Sequence, residues 1–369
     1  MCANRKTDTF ISDMTDDQRF MRRCFELARL GQGRVSPNPM VGCVVAARDG
    51  SIVSEGYHQQ YGHNHAERNA LLRALPEGRT FDGCTLYVNL EPCSHFGKTP
   101  PCADLIVEKH VKRVVISTPD PNPLVAGHGL EKLRNAGIEV VQNVLFDEGR
   151  HLNRRFFTFM EKHRPYVMLK WAQTADGFMD IDRHANPNGS YWITNNALKT
   201  LSHKWRTRED AIMVGTNTVA NDNPQLTSRL WAGHNPLRIT IDRHGRLPQH
   251  CHLFDRSVPT VVFTQNQSLQ SARNLTYVDA DFENLLPQIM AYLYQNKVQS
   301  IIVEGGKQLI NSFLEQNLWD EARMLQGSTT FGKGLQAPTM GLQPNQTQTF
   351  GDNTIKYYFN PCSRTLTEP

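Results

Sequence analysis

Thr85-Leu86-Tyr87-Val88-Asn89-Leu90-Glu91-Pro92-Cys93 decides the fold of the first half of the chain. Its first six residues are rich in β-formers and read as a buried strand. The strand delivers Cys93 at its end, where open α/β sheets place their ligands. Pro100-Pro101 predicts the start of a helix running from about Cys102 to His110. Cys102 then sits in a first turn, where the helix dipole favours thiolate. Upstream, Glu67 to Leu75 reads as a helix with Ala70, Leu71 and Ala74 on one side. Residues two apart do not share a helix face. His65 and Glu67 therefore converge only if His65 stands at the helix entry, outside the regular turns.

One imidazole and two thiolates make three soft ligands. Structural zinc fills all four tetrahedral corners, whereas catalytic zinc keeps one open for water. Glu67 carries a carboxylate that need not touch the metal, and a metal-activated water beside a general acid/base is a hydrolytic site. The order H-x-E, strand, P-C is a mark of zinc deaminases. The expected ligands are His65, Cys93 and Cys102, with Glu67 as the catalytic carboxylate. His63 and His95 are the alternative imidazoles, and a structural zinc is the competing reading.

The rest of the first half alternates helix and strand. A helix is expected from Asp17 to Leu30, capped by Thr15 or Asp16. Strands are expected at 41–47, 51–56, 111–117 and 138–144, with a helix at 130–135. That is a sheet covered by helices. After it comes a polar, basic and partly aromatic stretch around Glu148 to Phe157, and Arg164-Pro165 opens a new strand, Tyr166 to Trp171. The expected division is a zinc domain at 1–150, a connector at 151–163 and a second α/β domain at 164–369. Ile355 to Phe359 is expected to add an edge strand.

Composition sets the bounds. The 369 residues suffice for two domains. No apolar run approaches the roughly 18 residues of a membrane span, and the polar N-terminus lacks a secretory core. Eight cysteines without a dense disulfide pattern fit a reducing cytoplasm. A net charge of +4 permits an anionic small molecule but gives no broad basic face for nucleic acid.

In the second half, Glu304-Gly305-Gly306-Lys307 follows an apolar strand, Ser300 to Val303, and precedes a helix from about Gln308. Gly215-Thr216 follows Ala211 to Val214 in the same way. Glycines at such turns let backbone amides approach phosphate, and two in one domain suit a dinucleotide; a plain tight turn is the alternative. The strict G-x-G-x-x-G fingerprint is absent, which disfavours a standard Rossmann site.

Ser36-Pro37-Asn38-Pro39-Met40-Val41-Gly42, His65-Ala66-Glu67 and Glu91-Pro92-Cys93-Ser94-His95-Phe96-Gly97-Lys98-Thr99-Pro100-Pro101-Cys102 resemble the RibD family. So do Asp176-Gly177, Gly189 to Thr194, Gly215 to Val219, Asp222 to Thr227 and Val303-Glu304-Gly305-Gly306. The resemblance covers about residues 15 to 335. It implies a bifunctional riboflavin-biosynthesis enzyme: an N-terminal cytidine-deaminase-like α/β/α domain using zinc, and a C-terminal dihydrofolate-reductase-like α/β domain using NADPH. The implied substrate is a phosphorylated aminopyrimidine, deaminated to a uracil and then reduced at C1′ of the opened ribose.

The resemblance also implies residue roles. Asn38 would hold the pyrimidine and Lys98 the phosphate; a turn residue and a solvated lysine are the plain alternatives. Ala172, Trp192, Thr218, Asp222, Gly305, Gly306 and Lys307 would contact NADPH. Ser190, Arg206, Leu226, Arg229 and Glu304 would contact the sugar phosphate, the two arginines as guanidinium forks unless they are surface charges. Asp222 and Glu304 are the candidate proton donors. Arg243 stands where the family often has a small Ser after Ile241-Asp242, and would meet the cofactor 2′-phosphate or point to solvent. A homo-oligomer, dimer or tetramer, is expected. A nucleic-acid deaminase with a C-terminal binding domain, and a non-enzymatic zinc module, are the rival functions.

Overall fold

The computed structural model describes residues 14–77, 79–96, 100–122, 125–183 and 191–363. Two compact units divide between Glu161 and Lys162.

The first unit runs α1 (Asp16–Arg29), β1 (Gly42–Ala46), β2 (Ile52–Tyr57), α2 (Ala66–Leu71), β3 (Thr85–Leu90), α3 (Cys102–Glu108), β4 (Arg113–Thr118), α4 (His128–Asn135), β5 (Glu139–Val141), α5 (Phe146–Leu152) and α6 (Arg154–Lys162). The sheet order is β2-β1-β3-β4-β5. β1 is antiparallel to both its neighbours, while β3, β4 and β5 are parallel. β3 is therefore central, and all but its first residue are buried. Thr15 caps α1 in a capping box with Gln18.

Three expectations in this unit change. The helix expected from Glu67 to Leu75 ends at Leu71 and leaves Ala74 exposed beyond it. The strand expected at 138–144 is the three-residue β5. The connector expected at 151–163 is helical, and its apolar residues are core: Leu152, Phe156, Phe157 and Phe159 are buried. The intervening Arg and His side chains mask these helices in the sequence.

Asn153, between these two helices, does a specific job. It is 3 % exposed; its Oδ1 accepts from Met40 N and its Nδ2 donates to Met40 O, both at 2.9 Å. Asn89 of β3 completes the grip, accepting from Gly42 N at 2.7 Å and donating to Met40 O at 3.0 Å. Two side-chain amides thus fix the segment that carries Asn38, where no strand pairs with it.

The second unit runs β6 (Tyr166–Gln173), β7 (Phe178–Ile181), α7 (Asn196–Arg206), β8 (Ala211–Val214), α8 (Thr216–Asp222), β9 (Leu237–Ile241), β10 (Thr260–Thr264), β11 (Leu275–Asp279), α9 (Leu285–Gln295), β12 (Ser300–Val303), α10 (Lys307–Glu315), β13 (Glu321–Gln326), β14 (Gly334–Gln336), β15 (Gln346–Phe350) and β16 (Asn353–Phe359). The main sheet has the order β11-β10-β9-β8-β12-β6-β13-β16-β15. It is parallel from β11 to β13 and antiparallel beyond. β7 and β14 form a separate antiparallel pair. Apolar clusters cover both faces of the main sheet. The segment 355–359 is not at the edge: β16 lies between β13 and β15. β15, Gln-Thr-Gln-Thr-Phe, lacks the apolar alternation that would have signalled a strand outside it.

Replacing Asn153 with Ala removes the acceptor for Met40 N–H, a loss of about 1–3 kcal/mol. The expected outcome is a lower melting midpoint in calorimetry; an unchanged midpoint would show that the clamp is dispensable.

Candidate active sites

His65 is the N-cap of α2, with an extended backbone (φ −70°, ψ 166°) and no side-chain capping bond. Its imidazole is therefore free to point away from the helix. α2 is held tight to β2 at Gly56, where a Cβ would stand 2.5 Å from Ala66 O and from Ala70 N. Cys93 follows β3, and Cys102 opens α3 with Pro101 as its N-cap. Cys102 N approaches Cys93 Sγ at 3.4 Å, and Ala103 N donates to Cys93 O at 3.1 Å.

Both sulfurs lie 3.5 Å from His65 Nδ1. Tetrahedral zinc, with Zn–S about 2.3 Å and Zn–N about 2.0–2.1 Å, separates N from S by roughly 3.6 Å. The three ligand atoms lie within 4.8 Å of one another, and among the described residues no fourth His, Cys, Asp or Glu joins them. His63 and His95 are outside the group. The donor set fits a zinc ion with one corner left for water. The paired sulfurs reinforce that fit: Cys102 hydrogen-bonds Cys93 and lowers its pKa, while its own is raised. Only a cation makes two neighbouring thiolates stable together.

Glu67 is buried, and burial pushes its carboxyl up to about 7. Asn38 Nδ2 is 3.1 Å from His58 Nε2, and His58 Nδ1 is 2.9 Å from Asn64 O. The carbonyl fixes the tautomer: Nδ1–H donates to Asn64, so Nε2 accepts from Asn38. Burial lowers the His58 pKa and keeps the ring neutral. The Asn38 amide oxygen is left to accept from a ligand. His58 meets the His65 ring edge-on at 5.5 Å, which ties Asn38 to the metal site. Nothing in the spacing of Asn38 and His58 signals this pairing. Lys98 lies outside the described residues.

The second site is a cavity of about 1380 Å³ at the carboxyl ends of β6, β8, β9 and β12. A pocket for one drug-sized ligand spans roughly 300–1000 Å³, so a dinucleotide and a sugar phosphate fit together. It gathers Ala172, Trp192, Thr218, Asp222, Gly305, Gly306 and Lys307, and also Arg206, Leu226, Arg229 and Glu304. Ser190 lies outside the described residues. Gly305 holds φ +109°, and a Cβ on Gly306 would stand 3.3 Å from Thr218 Oγ1. The turn thus presents bare backbone, as a cradle for phosphate requires. Buried Leu226 holds φ 56°, a strained backbone for a large side chain. Trp192, 61 % exposed, stacks under Lys199 Nζ at 3.8 Å.

Glu304 is the hub. It takes Arg206 Nε at 2.9 Å and Nη2 at 2.7 Å, and Lys170 Nζ lies 3.8 Å away. Arg206 Nη1 donates to Thr227 O at 2.9 Å. The Arg206 fork, expected to be open to phosphate, is already closed on Glu304. Burial would raise the Glu304 carboxyl, but Arg206 and Lys170 overcome it and hold it at about 2. Burial also lowers the Lys170 pKa against the pull of Glu304. His203 is pushed down to about 4 by burial and by Arg206 and Arg229. Asp222 pairs with Arg183 at 2.9 Å. Lys170 and His203 escaped the sequence reading; a lysine interrupting the apolar run Tyr-Val-Met-Leu-Lys-Trp was the available signal.

Residues 14–118 match the cytidine and deoxycytidylate deaminase zinc-binding region, and residues 165–357 match the RibD C-terminal domain. The riboflavin biosynthesis protein RibD of Aquifex aeolicus is 39 % identical over 334 residues, covering 89 % of this chain and 91 % of that protein. RibD of Escherichia coli is 38 % identical over 323 residues, covering 83 % and 86 %. The crystal structure of a diaminohydroxyphosphoribosylaminopyrimidine deaminase/5-amino-6-(5-phosphoribosylamino)uracil reductase from Thermotoga maritima superposes with a TM-score of 0.85 at 38 % identity, covering 94 % of this chain and 99 % of that one.

Elemental analysis of the purified protein should find one zinc per chain, and Cys102→Ala should lose it. Retention of full zinc by that variant would place the metal elsewhere.

Proposed function

The chain belongs to the RibD family of bifunctional riboflavin-biosynthesis enzymes, and we propose that it converts 2,5-diamino-6-(5-phosphoribosylamino)pyrimidin-4-one in two steps, deamination in the first unit and reduction in the second. The observation that carries this reading is the pair of dissimilar sites on one chain: three metal donors beside a buried carboxyl, and a two-ligand cavity organised by Glu304. The match of residues 165–357 to the RibD C-terminal domain displaces the nucleic-acid-deaminase and non-enzymatic alternatives.

His65, Cys93 and Cys102 would hold a zinc ion, whose contribution when bound would be to bring the pKa of a water to about 7 and so make a nucleophile available at neutral pH. Glu67 would carry one proton of that water to the ring nitrogen, and then the second, from the newly added hydroxyl, to the amine that leaves as ammonia. Buried beside the three donors and not one of them, the Glu67 carboxyl is free to accept and give a proton in one cycle. Asn38, locked by neutral His58, orients the pyrimidine through its amide oxygen.

In the second unit the cavity would hold NADPH, which when bound would supply the hydride for C1′ of the opened ribose. Glu304, one of the two donors expected from sequence, is held ionised and cannot donate near neutral pH. Asp222, the other, is committed to Arg183. Lys170 takes that role: an ammonium in the cavity, made more acidic by burial and held in place by Glu304. Arg229, which lines the cavity and forms no ion pair among the described residues, is the open cation for the substrate phosphate.

Among the described residues no helix is long and apolar enough to cross a membrane. The seven described cysteines are all free, which favours a cytoplasmic location. Exposed Leu230, Trp231 and Leu335 favour self-association of the second unit.

Ammonia release and NADPH absorbance, followed separately, test the assignment. Glu67→Gln should abolish the first while retaining zinc and the reduction of added deaminated substrate. Lys170→Met should do the reverse. Loss of both activities in either variant would contradict two independent sites.

A further inference from the structure

Thr216, Ile241, Arg246, His252, Phe282 and Leu286 are among the residues that line the reducing cavity, and Thr216 Oγ1 donates to Ile241 O. Asp242, directly after β9, is buried, and both its carboxylate oxygens are spent on its own turn: Oδ1 accepts from Arg246 N and Oδ2 from Leu247 N, each at 2.9 Å. An acid near a strand end is what holds the ribose hydroxyls of a dinucleotide that lacks a 2′-phosphate. Here that acid is turned into the protein.

Two guanidiniums follow it. Arg243 is not among the lining residues; its Nε donates to Gln265 Oε1 at 2.9 Å and its guanidinium lies 5.3 Å from the Phe282 ring centroid. Arg246 does line the cavity, is exposed, and has no hydrogen-bond or ion-pair partner for its guanidinium among the described residues. Lys170 and Arg206 are committed to Glu304, and Arg183 to Asp180 and Asp222; Lys307 stands at the Gly305-Gly306 turn, and Arg229 is assigned to the substrate phosphate. Glu283, next to Phe282 in sequence, also lines the cavity and forms no ion pair with Arg246.

We propose that Arg246 reads the 2′-phosphate of NADPH, and that Arg243 braces Phe282 behind it without touching the phosphate. A planar guanidinium matches phosphate with two parallel hydrogen bonds, and Asp242, spent on its own turn, is not free to hold the 2′-hydroxyl of NADH. This inference rests on the assignment of the cavity to the nicotinamide cofactor.

Dissociation constants of NADPH and NADH, measured without substrate by quenching of tryptophan fluorescence, test it on the full chain, Arg246→Gln and Arg243→Ser. Arg246→Gln should weaken NADPH by about 10- to 100-fold, the worth of a charge-assisted pair, and leave NADH unchanged. Arg243→Ser should preserve the NADPH-to-NADH ratio. Undiminished selectivity in Arg246→Gln, or selectivity lost in Arg243→Ser, would overturn the proposal while leaving the cavity a dinucleotide site. Failure of the unaltered protein to bind either dinucleotide would overturn the cavity assignment and this inference with it.

Discussion

Two sulfurs and an imidazole nitrogen, 3.5 Å from sulfur to nitrogen and largely withdrawn from water, form the constraint on which the first unit depends. Thiolates that close repel each other, and only a dication reconciles them. The fold supplies the ligands from three independent places: the residue before α2, the residues after β3 and the first residue of α3. Each place is one where a helix or strand has just ended or begun, so each side chain is free of the periodicity of its element. Gly56 then removes the last slack by bringing α2 against β2.

The second unit applies the same rule with charge in place of metal. Its ligating groups also stand at the carboxyl ends of parallel strands, where the chain leaves the sheet. One buried carboxylate, Glu304, is balanced by Arg206 and Lys170, so the interior carries a positive excess before any anion arrives. Removing one partner of such a cluster leaves an uncompensated buried charge, which costs far more than the pair contributes. That asymmetry keeps Glu304 ionised, with Arg206 and Lys170 held against it.

The metal site was legible in the sequence because its logic is local. His65 must precede a helix, Cys93 must end a strand, and Pro100-Pro101 must start a helix; each statement needs only neighbouring residues. What escaped was everything that depends on distant pairing. His58 touches Asn38 across 20 residues. Asn153 reaches Met40 across 113 residues, from a stretch whose charges disguised its helices. Arg206 looked like a phosphate fork because its partner Glu304 stands 98 residues away. Arg243 drew notice as a departure from the family, whereas the neighbouring Arg246 faces the cavity. Sequence names the chemistry of a group more readily than its partner.

The central claim is a metal held by three side chains with one corner left to solvent. Zinc K-edge absorption fine structure on the purified protein measures it directly. The account predicts two sulfurs at about 2.3 Å and two lighter N or O scatterers at about 2.0–2.2 Å, one of the latter displaced by an added exogenous ligand. A shell with three or more sulfurs, or one that no exogenous ligand alters, would contradict it.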